Sequence, residues 1–349
     1  MSASEVLRSE IFEQPDAWRR VISDQREIES AAAAIKSLNP TLVRIAAHGT
    51  SGNAALYASY ILRLMCGYTV VRDSVAMPLY YGVPAAAPGE LAIGISQSGE
   101  TPDIVAWLGQ AAREGATTLA ITNAANSPLS AVADCTIELQ VGEELSIAAS
   151  KTYSGTLASL ALLAAHIAGS SESISSEMST VADIAESSLP GWEAAVAPIA
   201  SGLRGLTRIY LVARGIELAT AHEIALKLTE TCYIGAQAMS ATAMAHGPVA
   251  AVDATMPVWL IAADDATLPA VLEAGQRAVD AGAEIIASGS AANSIAGSTY
   301  TLATEAEPAP LLAPLLSVIP GQLFACSLAQ AKSIDPGAPR NLRKVTSAS

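Results

Sequence analysis

Two long segments of this chain occur twice, and a chain that repeats itself at one spacing is constrained to fold as a repeated unit. "RIAAHGTSGNAALYASYIL" from Arg44 is matched by "IYLVARGIELATAHEIALKL" from Ile209, with Gly49 aligned to Gly215. "AIGISQSGETPDIVAWLGQAAREGATTLAIT" from Ala92 is matched by "WLIAADDATLPAVLEAGQRAVDAGAEIIAS" from Trp259, with Gly115 aligned to Gly282. The offsets are 166 and 167 residues. Two independent segments at nearly one offset indicate a duplicated lobe.

Within each copy, a short apolar, β-branched run leads through a turn into a helical pattern: "TLVRIAA" before "GNAALYASYILRLM", "ELAIGI" before "PDIVAWLGQAAREG". That alternation predicts an α/β fold of two tandem lobes, each a doubly wound, flavodoxin-like parallel sheet flanked by helices. The expected segments are an N-terminal helical stretch over 1–40, a first lobe over 41–185, a second over 186–335 and a tail over 336–349. The boundary falls in the acidic, Ser-rich region near residues 170 to 192.

Composition narrows the function. The 349 residues are 51% hydrophobic but only 4% aromatic and 15% charged, so helices are expected to pack closely through small side chains. A formal charge of −14 opposes nonspecific attraction to nucleic acid or anionic membrane, and an anionic ligand therefore needs a local site. Neither nucleic acid nor membrane is expected as a partner. Three stretches lack charge for about twenty residues, yet they carry Ser, Thr, His, Gly or several prolines and read as buried helices and loops. Cys66, Cys135, Cys232 and Cys326 form no Cys-x-x-Cys pair, so neither a disulfide framework nor zinc spacing is indicated. With an N-terminus lacking the apolar core of a signal peptide, the expected location is the cytoplasm.

The turn "SQSGET", residues 96 to 101, has no counterpart in the second copy, which carries "DDATLP", so the fold itself does not require it. At the carboxyl end of a parallel strand such a turn aims amides and a helix N-terminus at the crevice, and Ser96, Ser98 and Thr101 add neutral donors. Gly99 allows close backbone approach, while Thr101 at the N-cap and Pro102 at the first helical position make a good helix start. Phosphate is the natural occupant; a well-capped surface turn explains Thr101 and Pro102 but not both serines and the glycine.

In "ELATAHEIALKLTETCYI", from Glu217, a helix places Glu223, Lys227 and Glu230 on one face. The plain reading is a solvent-facing stripe. The sharper one is a carboxylate beside an ammonium in a cleft, able to move a proton between adjacent carbons. Of four histidines, His166 and His222 lie in helical patterns, whereas His48 and His246 precede glycine in loops, where an imidazole reaches a ligand. None has metal spacing.

"HGTSGN", "SQSGETPD", "ASK" at Ala149 to Lys151, "EIALKLTE", "HGP" and "PRNLRK" occur in order across most of the chain. Together they resemble the motifs of the sugar isomerase (SIS) family, in particular the isomerase half of glucosamine-6-phosphate synthases and their glutaminase-lacking relatives, among them glucosamine-6-phosphate deaminases. The resemblance implies that Thr50, Ser51, Ser96, Gln97, Ser98 and Thr101 hold a sugar phosphate. It implies that Glu230 shuttles a proton between C1 and C2 beside Lys227 and Glu223, and that His246 serves ring opening from a partner subunit. Lys344 matches a tail lysine that closes over the site and forms an imine with an open-chain ketose.

Three positions depart from that pattern. Ala149 stands at a substrate-binding position where the family often has Ser, so one hydroxyl contact is missing; Ala243 replaces a common Glu; and His48 replaces a cysteine. Only about 40 residues precede the first strand, so a glutaminase domain is not expected. The resulting expectation is a homodimer with shared active sites that acts without metal or organic cofactor on an aminosugar phosphate, such as glucosamine 6-phosphate, giving fructose 6-phosphate and ammonia. A sugar-phosphate deglycase and a noncatalytic sugar-phosphate-binding regulator remain the alternatives.

Overall fold

The computed structural model describes residues 3–304, 309–337, 339–342 and 344. Strands β1 (Val43–Ala47), β2 (Val70–Arg72), β3 (Leu91–Ile95), β4 (Thr117–Thr122) and β5 (Cys135–Glu138) form one sheet in the order β2-β1-β3-β4-β5. Strands β6 (Arg208–Ala213), β7 (Gly235–Ser240), β8 (Val258–Ile261), β9 (Ile285–Gly289) and β10 (Tyr300–Ala303) form a second, ordered β10-β9-β8-β6-β7. Every pairing is parallel. Read from the second strand of each, both sheets have the same 2-1-3-4-5 order, the flavodoxin-like winding expected of the duplicated sequence. β3, β8 and β9 are buried along their whole length, which is why they read as continuous apolar runs without alternation.

The chain divides into two compact units. One holds the first sheet with residues 16–144, 151–179, Leu342 and Lys344; the other holds the second sheet with residues 3–15, 145–150, 180–304 and the described residues from 309 to Asn341. The Ser-rich region between the copies is a single 32-residue helix, Ser171–Gly202, that carries Pro190 and Pro198 in its interior.

Small residues set the helix packing. In the second unit, helices Leu218–Cys232 and Ala313–Ala331 approach so closely that a Cβ on Gly321 would lie 2.4 Å from Ile224. Phe324 of the latter helix meets Trp259 of β8 edge-on, ring centroids 5.2 Å apart. Among the described residues, Ala313–Ala331 is the one helix long and apolar enough to cross a membrane, but 89% of that window is buried within the protein. Lys151–Ala168, another of the uncharged stretches, is buried on nearly all sides of its helix.

Candidate active site

One candidate site stands at the carboxyl end of the first sheet. Ala47 and Ile95 are register partners on adjoining β1 and β3, so His48 and Ser96, the next residues of each chain segment, emerge side by side where the winding reverses direction. That switch point is where open parallel sheets bind ligands. The helix Gly49–Cys66 begins directly after His48 and carries Thr50 and Ser51 in its first turn; the helix Pro102–Arg113 begins directly after Thr101. Two helix N-termini thus meet the same crevice, each with amide donors and a positive dipole end.

Ser96 is buried, its amide donating to Ile121 O at 3.1 Å and its hydroxyl lying 2.9 Å from that of Thr101. This corrects the expected capping role of Thr101: it occupies the N-cap position but makes no side-chain cap bond, because its hydroxyl is turned toward Ser96. Ser98 Oγ accepts from the Glu100 amide at 3.2 Å, and the Gln97 carbonyl accepts from Asn123 N at 3.0 Å and Thr122 Oγ1 at 3.2 Å. The Gln97 side chain and the Ser51 hydroxyl make no hydrogen bond to a described residue. Gly99 also serves the fold: with φ of +65°, its missing Cβ would lie 2.0 Å from Ser127 Oγ, so the glycine makes room for the neighbouring loop.

Beside this loop the same unit opens a cleft of about 1190 Å³, lined by Gln97, Ser98 and Lys344 among others. Seven acidic residues line it against Arg26 and Lys344. Lys344 Nζ lies 3.2 Å from Oε2 of Glu144, a fully buried carboxylate that also accepts from Thr152 N at 3.1 Å and Thr152 Oγ1 at 2.6 Å. Sequence reasoning missed Glu144; its only signal was the pair of acids Glu143 and Glu144 in the segment that follows β5, separated from the strand's end by four residues.

A separate ionisable cluster lies on the helix Leu218–Cys232 of the other unit. Lys227 Nζ is 3.4 Å from Glu223 Oε1 and 2.7 Å from Glu230 Oε2. The Glu223 and Lys227 side chains are 0% and 3% exposed and that of Glu230 is 22% exposed, so the solvent-facing stripe is ruled out by the packing around the helix. An ammonium balancing two carboxylates away from water, with one carboxylate reaching the surface, is an acid–base arrangement. His246 follows the short helix Ala241–Ala245, its amide donating to Ala243 O at 3.0 Å; it is exposed, and its imidazole has no hydrogen bond or ion pair with a described residue. Ala149 belongs to this same unit, just before the helix Lys151–Ala168.

At the start of the helix Leu218–Cys232, Glu217 is fully buried and accepts from Thr220 Oγ1 at 2.5 Å and Ser317 Oγ at 2.7 Å. Burial pushes its carboxyl up to about 7, only partly offset by the two hydroxyls. All four cysteines are free thiols, and burial raises Cys66 and Cys232 to about 11 and Cys326 to about 12, so these three stay protonated at neutral pH. Among the described residues no group of three or more His, Cys, Asp or Glu is placed to hold a metal ion.

The SIS domain family model matches residues 41–166 and 202–331. Glutamine–fructose-6-phosphate aminotransferase [isomerizing] of Thermococcus kodakarensis is 32% identical over 346 residues, covering 97% of this chain and 57% of that protein. The chain therefore spans little more than half the length of that relative. Of solved structures, the C-terminal domain of glucosamine-fructose-6-phosphate aminotransferase from Francisella tularensis superposes with a TM-score of 0.84 at 25% identity, covering 94% of this chain and 96% of that one. Glucosamine-6-phosphate deaminase from Thermotoga maritima gives 0.72 at 19% identity over 93% of this chain and 99% of its own, a likeness of fold.

Proposed function

Because this chain belongs to the SIS domain family, we propose that it is a phosphosugar isomerase acting on an aminosugar phosphate, with glucosamine 6-phosphate plus water going to fructose 6-phosphate plus ammonia. The single observation that carries the reading is the Glu223–Lys227–Glu230 constellation: one carboxylate at the surface, backed by a buried ammonium and a second, fully buried carboxylate.

In this reading the hydroxyl-rich loop and the two helix N-termini take the phosphate. Glu230 removes the C2 proton of the opened aminosugar and returns a proton to C1; the double bond shifts to a C2 imine, and water releases ketose and ammonia. Lys227 balances the charge of the base. His246 opens the ring from a partner subunit in a homodimer, and Lys344 engages the open-chain ketose.

The acid excess in the cleft beside Gln97 and Ser98 favours a substrate that carries an amine over a neutral sugar. The same observation favours the second reading, a deglycase acting on an amine conjugate of a sugar phosphate. Incubating the purified protein with hexose phosphates, hexosamine phosphates and amine-conjugated sugar phosphates tests both, with ammonia, released amine and ketose phosphate all measured. The first reading expects equimolar ammonia and ketose phosphate from the hexosamine phosphate. Turnover of none of these substrates by folded protein would overturn both.

A further inference from the structure

His48 and Asp103 are 55 positions apart, yet His48 Nε2 lies 2.6 Å from Asp103 Oδ2. The imidazole is 51% exposed, the carboxylate only 19%. Asp103 is held in turn, its Oδ1 accepting from the Ile104 amide at 2.9 Å. The other ring nitrogen, Nδ1, bonds to no described residue. His48 stands at the end of β1 beside Ser96, between the two helix N-termini. In the second copy Arg214 occupies the position of His48, and Ala270 follows the helix-starting proline as Asp103 does, so the pair is not demanded by the fold.

Every side chain assigned to the phosphate is neutral: Thr50, Ser51, Ser96, Gln97, Ser98 and Thr101. The ionisable groups on the flanking elements are Arg44 on β1, Arg72 and Asp73 at the end of β2, Glu100 and Asp103 after β3, and Glu144 with Lys344 in the adjoining cleft; Asp73 is paired with Arg44 at 3.3 Å and Lys344 with Glu144 at 3.2 Å. A phosphate dianion arriving here meets mostly like charge unless a cation forms locally. With Nε2–H donated to Asp103, a neutral imidazole presents a lone pair at Nδ1 and repels an anion. With a second proton it presents an N–H donor and a positive charge beside the Asp103 carboxylate.

We propose that His48, positioned by Asp103, is a ligand of the substrate phosphate that takes up a proton as the sugar phosphate binds. This rests on the reading of residues 96–101 as the phosphate loop. Its bookkeeping is one proton, transferred from solvent to His48 Nδ1, with no bond made or broken in the sugar.

Calorimetry with fructose 6-phosphate at about pH 8, in buffers of different ionisation heat, counts that proton, because a phosphate with its second pKa near 6 is already dianionic there. The wild-type protein should take up a substantial fraction of a proton, and its affinity should fall severalfold from pH 7.5 to 8.5. His48→Gln, at a half-exposed position, should fold, bind more weakly, and show neither proton uptake nor the pH slope. Asp103→Asn should bind with reduced uptake. Equal uptake in wild type and His48→Gln overturns the role of His48 while leaving the phosphate loop standing, and full uptake in Asp103→Asn overturns the role of Asp103. If Ser96→Ala with Ser98→Ala binds as tightly as wild type, or folded wild-type protein binds no sugar phosphate, the loop assignment itself fails and His48 with it.

Discussion

Glu230 holds its carboxylate 2.7 Å from the Lys227 ammonium, and of the two only the glutamate reaches solvent, 22% against 3% exposed. Glu230→Gln keeps the shape of the side chain and removes its basicity. The variant should bind glucosamine 6-phosphate with near-normal affinity yet turn it over at least ~10²-fold more slowly. In deuterated water the wild-type product should carry deuterium at C1 wherever the carboxylate exchanges before delivery. Full activity in a verified Glu230→Gln protein would remove Glu230 from the chemistry.

Lys227 also has a structural role, since removing it leaves the buried Glu223 carboxylate without its ammonium. Lys227→Met should cost about 3–5 kcal/mol of stability, the range for breaking a buried ion pair from one side. Adding Glu223→Gln should restore much of that. Urea unfolding of the single and double variants measures both, and a single variant as stable as wild type would contradict the buried pair.

Neutral donors hold the phosphate in the proposed site, so losing two of them should show in affinity. Ser96→Ala with Ser98→Ala should weaken sugar-phosphate binding by roughly 1–3 kcal/mol through lost charge-assisted hydrogen bonds. Because Ser96 and Thr101 share one hydrogen bond at 2.9 Å, Thr101→Val should produce part of the same loss.

Glu217 makes stability depend on pH. Its carboxyl titrates near 7 in the folded protein against 4.5 when unfolded, so between those values the folded chain keeps a proton that the unfolded chain has released. The stabilisation is complete below pH 4.5 and is lost as pH rises through 7, a change on the order of 3 kcal/mol. Glu217→Gln should flatten this part of the stability profile, as followed by chemical denaturation from pH 5 to 8. An unchanged slope in that variant would place the pH dependence elsewhere.

The proposed supply of His246 across a dimer interface would leave each single-site variant with one intact half. Glu230→Gln protein mixed with His246→Ala protein should regain part of the lost activity through hybrid dimers. Subunit exchange is checked by labelling; exchange without recovered activity would exclude a shared site.

The repeat was legible because two segments recur at offsets of 166 and 167 residues, and the strand–helix alternation and the hydroxyl-rich turn because each depends on neighbours a few residues apart. A strand buried on both faces must be apolar throughout, and a helix must begin with residues that tolerate free amides, so β3 and the Pro102 helix declare themselves locally. The spacing of Glu223, Lys227 and Glu230 likewise put them on one face of a helix.

Which way that face points is not a local property. Helical spacing is the same for a solvent stripe and a buried triad, and the covering of Leu218–Cys232 by Ala313–Ala331, close enough to need Gly321 against Ile224, belongs to the tertiary structure. So does the exchange of Thr101 from a capping role to a bond with Ser96. The pairs His48–Asp103 and Glu144–Lys344, 55 and 200 positions apart, exist only because adjacent strands and the tail deliver them to the same edge of a sheet. The sequence by itself determined the winding and the residue types at the strand ends; three-dimensional packing decided which of those residues lose water and which partner meets each charge, since burial and pairing depend on groups brought together from distant parts of the chain.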